Sequence, residues 1–279
     1  MIKKLAIKLF GIFALLTITC HAHTVLLSGT INETNNSWGP SGSGALVAAD
    51  KILLTDDILV PKGTTLTILP GTRIVAENLN NPTLSQHNLF AGIEISNYGK
   101  VIAKGTKENP ILFQGAKELA RTWQGFFSLG TLILENVGIS DATCGVTASG
   151  GSLQITGCSF LRNETAIMLW GWQNTRIQQS LIKDNLDGIS CASTPAIISE
   201  NTIKDNQVGV RILQGESGPL ITNNSFENNS QYHIFNLSVV DINAYPNTWD
   251  LEATSLLKKL YDGRVEPEAG VIIIDPECF

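Results

Sequence analysis

Aromatic and amide side chains cluster in one short segment of this 279-residue chain. The segment carries Trp170, Trp172, Gln173 and Asn174. Exposed aromatic rings stack on sugar rings, and Gln and Asn amides supply hydrogen bonds to sugar hydroxyl groups. We therefore predict that these four residues bind a ligand that contains sugar rings. The alternative is that the two tryptophans form a hydrophobic lid over the side of the fold.

Two aspartates, Asp184 and Asp205, form a pair of carboxylates at equivalent positions of two consecutive sequence repeats. Such a pair can contribute oxygen ligands to Ca²⁺ or act as an acid and a base. Lys183 and Lys204 directly precede them, and Arg162 lies one repeat earlier, which favours solvated charges on turns. We expect no cofactor and no metal, with calcium at the two aspartates as the alternative.

The cysteines do not follow a metal-binding or redox pattern. Cys144, Cys158, Cys191 and Cys278 lie far apart, without a C-x-x-C pair and without a neighbouring histidine cluster. Cys158 and Cys191 occupy repeat positions that predict small buried side chains. A disulfide needs Cα atoms within about 7 Å, and the spacing assigns no pairing among the four.

The segment from Leu153 to Phe235 must position these residues, and it contains four copies of one pattern. The pattern recurs about every 22 residues, which is too short for a two-helix repeat and fits one coil of a solenoid with three short strands. Asparagines on the turns are expected to stack and to hydrogen-bond along the axis. The equivalent positions are Ile155, Ile177, Ile198 and Ile221; Phe160, Ile182, Ile203 and Phe226; and Asn163, Asn185, Asn206 and Asn229.

Two places depart from this regular spacing. Thr131 to Val146 forms a degenerate coil. If Ile133 is equivalent to Ile155, Ile139 lies one residue out of step with Phe160. We therefore predict a local bulge in this coil. In the last coil the same alignment places His233 in the column of Val210 and Phe235 in the column of Ile212.

Charge and the first residues limit the possible partners. The net charge of −6 argues against binding to nucleic acid and to anionic membranes. Lys3, Lys4 and Lys8 precede an apolar run and a small residue at Ala22, a pattern typical of a secretory signal peptide at residues 1–22. We expect a secreted, periplasmic or cell-surface monomer without membrane insertion after cleavage.

Three segments resemble a known family. "VPKGTTLTILPGTRIV" (60–75), "GKVIAKGTKENPILFQG" (99–115) and "TWQGFF" (122–127) precede the asparagine-rich coils, and this arrangement resembles bacterial secreted right-handed parallel β-helix proteins, which share the pectate-lyase-like fold. The resemblance implies an all-β, single-stranded right-handed parallel β-helix. It identifies a fold and not an activity.

The resemblance also directs attention to Arg211 and Asp187, which lie on neighbouring coils. An arginine beside acidic residues on a β-helix face resembles the arrangement in polysaccharide lyases, so these two residues are the candidates for catalysis. The Asn-Thr-Asp, Asp-Asp and Gly-His-Gly set of polygalacturonases is not found in the coils, and a full set of pectate-lyase calcium ligands cannot be matched. The sequence therefore favours a protein that does not cleave its ligand.

The predicted domains are a signal peptide at 1–22, a β-helix at 23–250 and a C-terminal cap at 251–279. The cap is expected to contain an amphipathic helix from Leu251 to Tyr261 and a last strand from Val271 to Ile274, which close the end of the solenoid. The favoured function is non-catalytic binding of an extended polysaccharide or another cell-surface polymer. The alternatives are a polysaccharide lyase or glycoside hydrolase, and a structural or accessory periplasmic protein.

Overall fold

The structure is a computed structural model that describes residues 23–77, 92–171 and 174–275. The strands of these ranges pair in parallel and form an 18-stranded sheet, a 9-stranded sheet and a 2-stranded sheet. Regular structure is almost entirely β, as the short apolar segments between Gly, Asn and Pro residues predict. Neither helix of the described ranges has the length and apolar character that a membrane span requires.

The strands and helices follow one another without long interruptions. In chain order they are β1 (Thr24–Thr30), β2 (Ser37–Gly39), β3 (Val47–Ala48), β4 (Lys51–Val60), β5 (Thr65–Ile68), β6 (Arg73–Ala76), β7 (Glu94–Asn97), β8 (Lys100–Lys104), β9 (Ile111–Gly115), β10 (Gly125–Ser128), β11 (Thr131–Glu135), β12 (Val137–Ser140), β13 (Cys144–Ala148), β14 (Ser152–Thr156), β15 (Ser159–Leu161), β16 (Thr165–Trp170), β17 (Asn174–Gln178), β18 (Leu181–Lys183), β19 (Asp187–Ala192), β20 (Ile197–Ser199), β21 (Thr202–Lys204), β22 (Val208–Ile212), β23 (Leu220–Thr222), β24 (Ser225–Glu227), β25 (Tyr232–Asn236), β26 (Ile242–Asn243), β27 (Thr248–Trp249), α1 (Ala253–Leu256), the 3₁₀ helix η1 (Leu257–Lys259), β28 (Leu260–Tyr261) and β29 (Ile272–Ile273).

Each regular coil contributes one strand to each of three parallel ladders. The first ladder contains β5, β8, β11, β14, β17, β20 and β23; the second contains β6, β9, β12, β15, β18, β21, β24 and β27; and the third contains β7, β10, β13, β16, β19, β22, β25 and β28. The long strand β4 belongs to both the second and the third ladder, because its two halves pair with β6 and with β7, and β1 pairs with both halves one coil earlier. The predicted solenoid with three strands per coil is therefore confirmed.

The predicted apolar columns are confirmed by the strand register. Ile177 of the first ladder pairs with Ile155 on one side and with Ile198 on the other, while Ile182 of the second ladder pairs with Phe160 and Ile203. All six side chains are buried. Because parallel strands lie about 4.8 Å apart, identical side chains stack along the axis and exclude water from the interior.

The turn asparagines form the hydrogen-bonded ladder that their spacing predicts. The backbone N–H of Asn206 and its Nδ2 both donate to Oδ1 of Asn229, at 3.1 and 3.0 Å, and Nδ2 also donates to the carbonyl of Ile182 at 3.0 Å. Asn185 makes the same bonds to Asn206 one coil earlier. The ladder thus satisfies buried polar groups that a turn inside a solenoid would otherwise leave unpaired.

The predicted bulge in the degenerate coil is wrong. Ile139 pairs with Phe160 without a register shift, and Leu134 rather than Ile133 pairs with Ile155. Leu134 is the buried residue and Ile133 points outward, so this coil has the same geometry as its neighbours. The sequence alignment took the wrong member of an apolar run as the inward residue.

The alignment of the last coil is also wrong by one residue. Val210 pairs with Ile234 and not with His233, and Phe235 pairs with Arg211. The turn between β24 and β25 holds one more residue than the turn between β21 and β22, which displaces the whole strand relative to the sequence pattern. Because side chains alternate across a strand, a shift of one residue moves Phe235 to the outer face.

Gly125 determines the backbone shape of the TWQGFF segment. Its φ of +103° lies in a region that L side chains rarely adopt, and a Cβ at this position would lie 1.7 Å from the carbonyl oxygen of Cys144. Only glycine allows the two coils to approach so closely. Trp123, two residues earlier, is buried and donates from Nε1 to the carbonyl of Ser140 at 2.8 Å, which fixes the chain direction before β10.

The C-terminal segment differs in detail from its prediction. The helix is much shorter than the predicted range 251–261, because it ends at Leu256 and is followed by η1 and then by β28, which adds to the third ladder by pairing Leu260 with Ile234. The predicted last strand is present as the short strand β29, which pairs with β26. Leu256 and Leu260 are buried against the end of the coil.

Candidate functional site

The outer face of the third ladder gathers most of the described candidate residues. Along β16, β19, β22, β25 and β28 the inward side chains are fully or almost fully buried, whereas Met168, Trp170, Arg211, Phe235 and Tyr261 alternate with them and are at least partly exposed. Alternation of this kind places these five side chains on one surface. We call the set Trp170, Asp187, Arg211, Tyr232, Phe235 and Tyr261 the outer strip.

Arg211 and Asp187 form a bidentate ion pair at the centre of the outer strip. Nε of Arg211 donates to Oδ2 of Asp187 at 2.9 Å, and Nη2 donates to Oδ1 at 2.8 Å. The two side chains are 25% and 18% exposed. This geometry orients the planar guanidinium and neutralises both charges where a ligand would approach.

Aromatic rings continue the outer strip toward the C-terminal end. The guanidinium carbon of Arg211 lies 4.9 Å from the centre of the Phe235 ring, and Tyr261 stacks on Phe235 with centroids 4.4 Å apart. Tyr232 contacts both rings, at 5.3 and 5.7 Å between centroids. Cation–π and aromatic contacts of this kind hold all four side chains in fixed positions without a ligand.

Trp170 lies at the opposite end of the outer strip and is the most exposed of its aromatic residues. Its side chain is 45% exposed, and it pairs across the ladder with Ala192, whose small side chain does not cover the indole ring. Trp170 is the last residue of β16 and therefore belongs to a strand, not to the insertion that the sequence suggested. An indole ring in this position is free to stack on a ligand.

Of the other residues in the predicted ligand-binding segment, the structure describes only Asn174. Trp172 and Gln173 lie outside the described residues. Asn174 is exposed, but it begins β17 in the first ladder and so lies on a different face of the coil from the outer strip. Asp187 and Arg211, by contrast, join Trp170 on one face, as neighbouring coils of a solenoid allow.

Sequence reasoning missed Tyr232, Phe235 and Tyr261 as members of the site. Phe235 was assigned to an inward column because of the extra turn residue before β25, and Tyr261 was assigned to a helix. The available signal was the aromatic pair Tyr232 and Phe235, three residues apart in the coil that follows Arg211.

Asp184 and Asp205 lie elsewhere, beside a groove of about 590 Å³ at the turn between the second and third ladders. Both residues adopt positive φ angles, as do Arg162 and Asn228 in the same column, which identifies the column as a left-handed turn position that Asp and Asn tolerate. Nζ of Lys183 lies 3.3 Å from Asp184 and 3.8 Å from Asp205. Calcium binding by this pair stays a prediction of the sequence.

The groove also contains an ion pair and two exposed leucines. Arg121 pairs with Glu164, and Leu119 and Leu186 line the groove with side chains that are 64% and 47% exposed. In the described parts of the chain, His, Cys, Asp and Glu side chains form no group of three or more that could hold a metal ion.

The cysteines are positioned as the sequence predicts for small apolar fillers. Cys158 and Cys191 are buried and Cys144 is partly so, and none of these three forms a disulfide. Burial raises the pKa of the Cys144 thiol to about 11 and the pKa values of Cys158 and Cys191 to about 12. Thiols of such high pKa are poor nucleophiles at neutral pH. Cys278 lies outside the described residues.

Two family models match the chain. The right handed beta helix region matches residues 126–248, and the pectate-lyase like beta helix domain matches residues 43–159. Both models describe β-helices of the kind that the sequence resembles, and together with the three parallel ladders they confirm the resemblance and the fold class. No curated protein matches the chain, and no solved structure does.

Proposed function

We propose that the protein binds an extended polysaccharide along the outer strip and does not cleave it. The observation that carries this proposal is the position of Trp170, an exposed indole on the same face as the ordered Arg211, Phe235 and Tyr261. The outer strip crosses five successive strands of the third ladder, so its ends lie four strand spacings apart, about 19 Å at about 4.8 Å per spacing. A linear polymer lying along the solenoid axis would contact all of them.

The contacts of the charged residues support binding over catalysis. Each oxygen of Asp187 accepts one hydrogen bond from Arg211, which leaves the pair free to hydrogen-bond to hydroxyl groups, and the outer strip contains no second carboxylate that could complete an acid and base pair. His233 is fully buried and contacts Asn229 and Asp250 inside the last coil, so it does not reach a ligand on the surface. A lyase or hydrolase is the second candidate, because the groove beside Asp184 and Asp205 brings carboxylates together in a concave surface.

Export is part of the proposal. Residues 1–22, the predicted signal peptide, lie outside the described residues. A polymer-binding protein meets polysaccharides outside the cytoplasm, which fits a secreted, periplasmic or cell-surface location. The protein is proposed to act as a monomer there, since one outer strip is long enough to engage an oligosaccharide by itself.

The test is affinity electrophoresis in native gels that contain one polysaccharide each. The wild-type protein should be retarded by at least one polymer, and Trp170→Ala should weaken that binding about tenfold, which corresponds to about 1.4 kcal/mol. Leu186→Ala is the matched control, because Leu186 is 47% exposed against 45% for Trp170 but lines the groove. It should bind as the wild type does.

Three further outcomes separate the candidates. Loss of binding in Leu186→Ala but not in Trp170→Ala would move the site to the groove. Release of reducing ends or of unsaturated products from the bound polymer would show that the protein is a hydrolase or a lyase. Binding to no polymer would favour a structural or accessory role.

A further inference from the structure

The charges of the outer strip carry information about the kind of polysaccharide. A site for an acidic polymer needs a cation whose field is not cancelled by the protein itself. Arg211 is the only cation of the outer strip, and Asp187 neutralises it through two hydrogen bonds of 2.9 and 2.8 Å. The outer strip therefore offers no net positive charge to a carboxylate or a sulfate.

The contacts of Arg211 also limit how it could bind an anion. Its planar guanidinium presents one edge to Asp187 and one face to Phe235, at 4.9 Å from the ring centre. Asp187 occupies the guanidinium edge formed by Nε–H and Nη2–H, so a ligand carboxylate could approach only at the remaining Nη1 and Nη2 hydrogens. There it would meet a cation that Asp187 already neutralises, and it would lie close to the partly buried Asp187 carboxylate, which repels it.

The residues around the pair do not change this balance. The residues that pair with Asp187 along the ladder are Thr165 and Val208, and those that pair with Arg211 are Ser190 and Phe235. The ammonium of Lys259 keeps its charge, but its Nζ is held by the carbonyls of Asn229 and Ser230 at 3.0 and 2.7 Å, on the turn before β25 and outside the outer strip. Aromatic rings, hydroxyl groups and a neutral ion pair remain as the recognition surface.

We infer that the ligand is an uncharged polysaccharide, recognised by aromatic contacts with sugar rings and by hydrogen bonds from the Arg211–Asp187 pair to hydroxyl groups. Asp187 acts here as a specificity determinant, because it cancels the charge that would attract acidic polymers. This inference rests on the proposed function and adds the chemical class of the ligand.

The experiment compares binding of a neutral mannan or glucan oligosaccharide with binding of polygalacturonate and alginate oligosaccharides of equal length. The wild-type protein should bind a neutral ligand at least tenfold more tightly than either acidic one, and added salt should not weaken that binding. In Asp187→Asn the guanidinium loses its counter-charge, so the ratio of acidic to neutral affinity should rise at least tenfold and should fall again as salt is added.

Two controls make the result decisive. The double variant Asp187→Asn with Arg211→Gln removes the cation as well and should lose the gained affinity for acidic ligands. Thermal unfolding of each variant shows whether it folds. If Asp187→Asn does not fold, the preference of the wild-type protein for neutral over acidic oligosaccharides decides the question by itself. Tighter, salt-sensitive binding of wild type to uronates would overturn the inference while leaving polysaccharide binding intact; binding of neither class would refute the proposed function instead.

Discussion

Single asparagines stabilise the turns of this solenoid by bonding to the next coil. The side chain of Asn206 accepts from Asn185 through Oδ1, and its Nδ2 donates to Asn229 and to the carbonyl of Ile182. These groups are buried, so the bonds have no substitute in water. The stability of each turn therefore depends on a residue that carries no ligand.

Replacing Asn206 by alanine should lower the free energy of unfolding by about 3 kcal/mol, because it leaves the N–H of Asn185 buried without an acceptor and removes three further bonds. Chemical denaturation followed by circular dichroism measures the change. Asp205→Asn is the matched control, since asparagine also tolerates the positive φ of that exposed turn position; its effect should stay within about 0.5 kcal/mol. Equal stability of wild type and Asn206→Ala would show that the ladder is not a source of stability.

At the scale of strands and turns, the sequence predicts which side chains point inward wherever the pattern repeats. The prediction fails where a turn holds one more residue or where several apolar residues are adjacent. The Ile155 and Phe160 columns follow from spacing alone, because only one apolar residue per strand fits the inward position. Ile133 and Leu134 are both apolar, so composition does not decide which points inward. The extra residue before β25 changes the register without changing the pattern, and so Phe235 was missed.

The end of the solenoid contains a buried titratable contact. Nδ1 of His233 lies 3.1 Å from Nδ2 of Asn229 and must accept its hydrogen, which makes the histidine the last member of the asparagine ladder. Nε2 lies 3.0 Å from Oδ1 of Asp250, although without the alignment of a good hydrogen bond. Burial lowers the pKa of His233, an effect that Asp250 opposes and Lys259 reinforces.

The protein should therefore lose stability as the pH falls through the ordinary histidine range. A histidine whose pKa is lowered by folding binds its proton more readily when unfolded, so its stabilising contribution is complete above about pH 6.5 and decreases below it. Protonated Nδ1 would also face the Asn229 amide donor. Thermal melts between pH 7 and pH 5 should show a falling midpoint, and His233→Gln, which keeps an acceptor but does not titrate, should show a smaller fall. Parallel curves for the two proteins would contradict this assignment.

At the scale of the whole molecule, the β-helix brings together residues that are far apart in sequence. Trp170 and Tyr261 share one face because their strands, β16 and β28, belong to the same ladder, four coils apart. The predicted candidates Arg211 and Asp187 meet because their strands are neighbours in that ladder. The sequence was sufficient for the solenoid, since its repeat is periodic and apolar. It was not sufficient for the site, because the outer face has no period and its members are identified only by register.

A polysaccharide that lies along the outer strip must cover the aromatic residues of that surface. Covalent footprinting by mass spectrometry measures this cover when the protein is saturated with a polymer that retards it in the gel. Trp170, Tyr232 and Tyr261 should lose reactivity, while Leu119 and Leu186 in the groove should react as they do in the free protein. Protection of the two leucines with an unchanged reactivity of Trp170 would place the polymer in the groove instead.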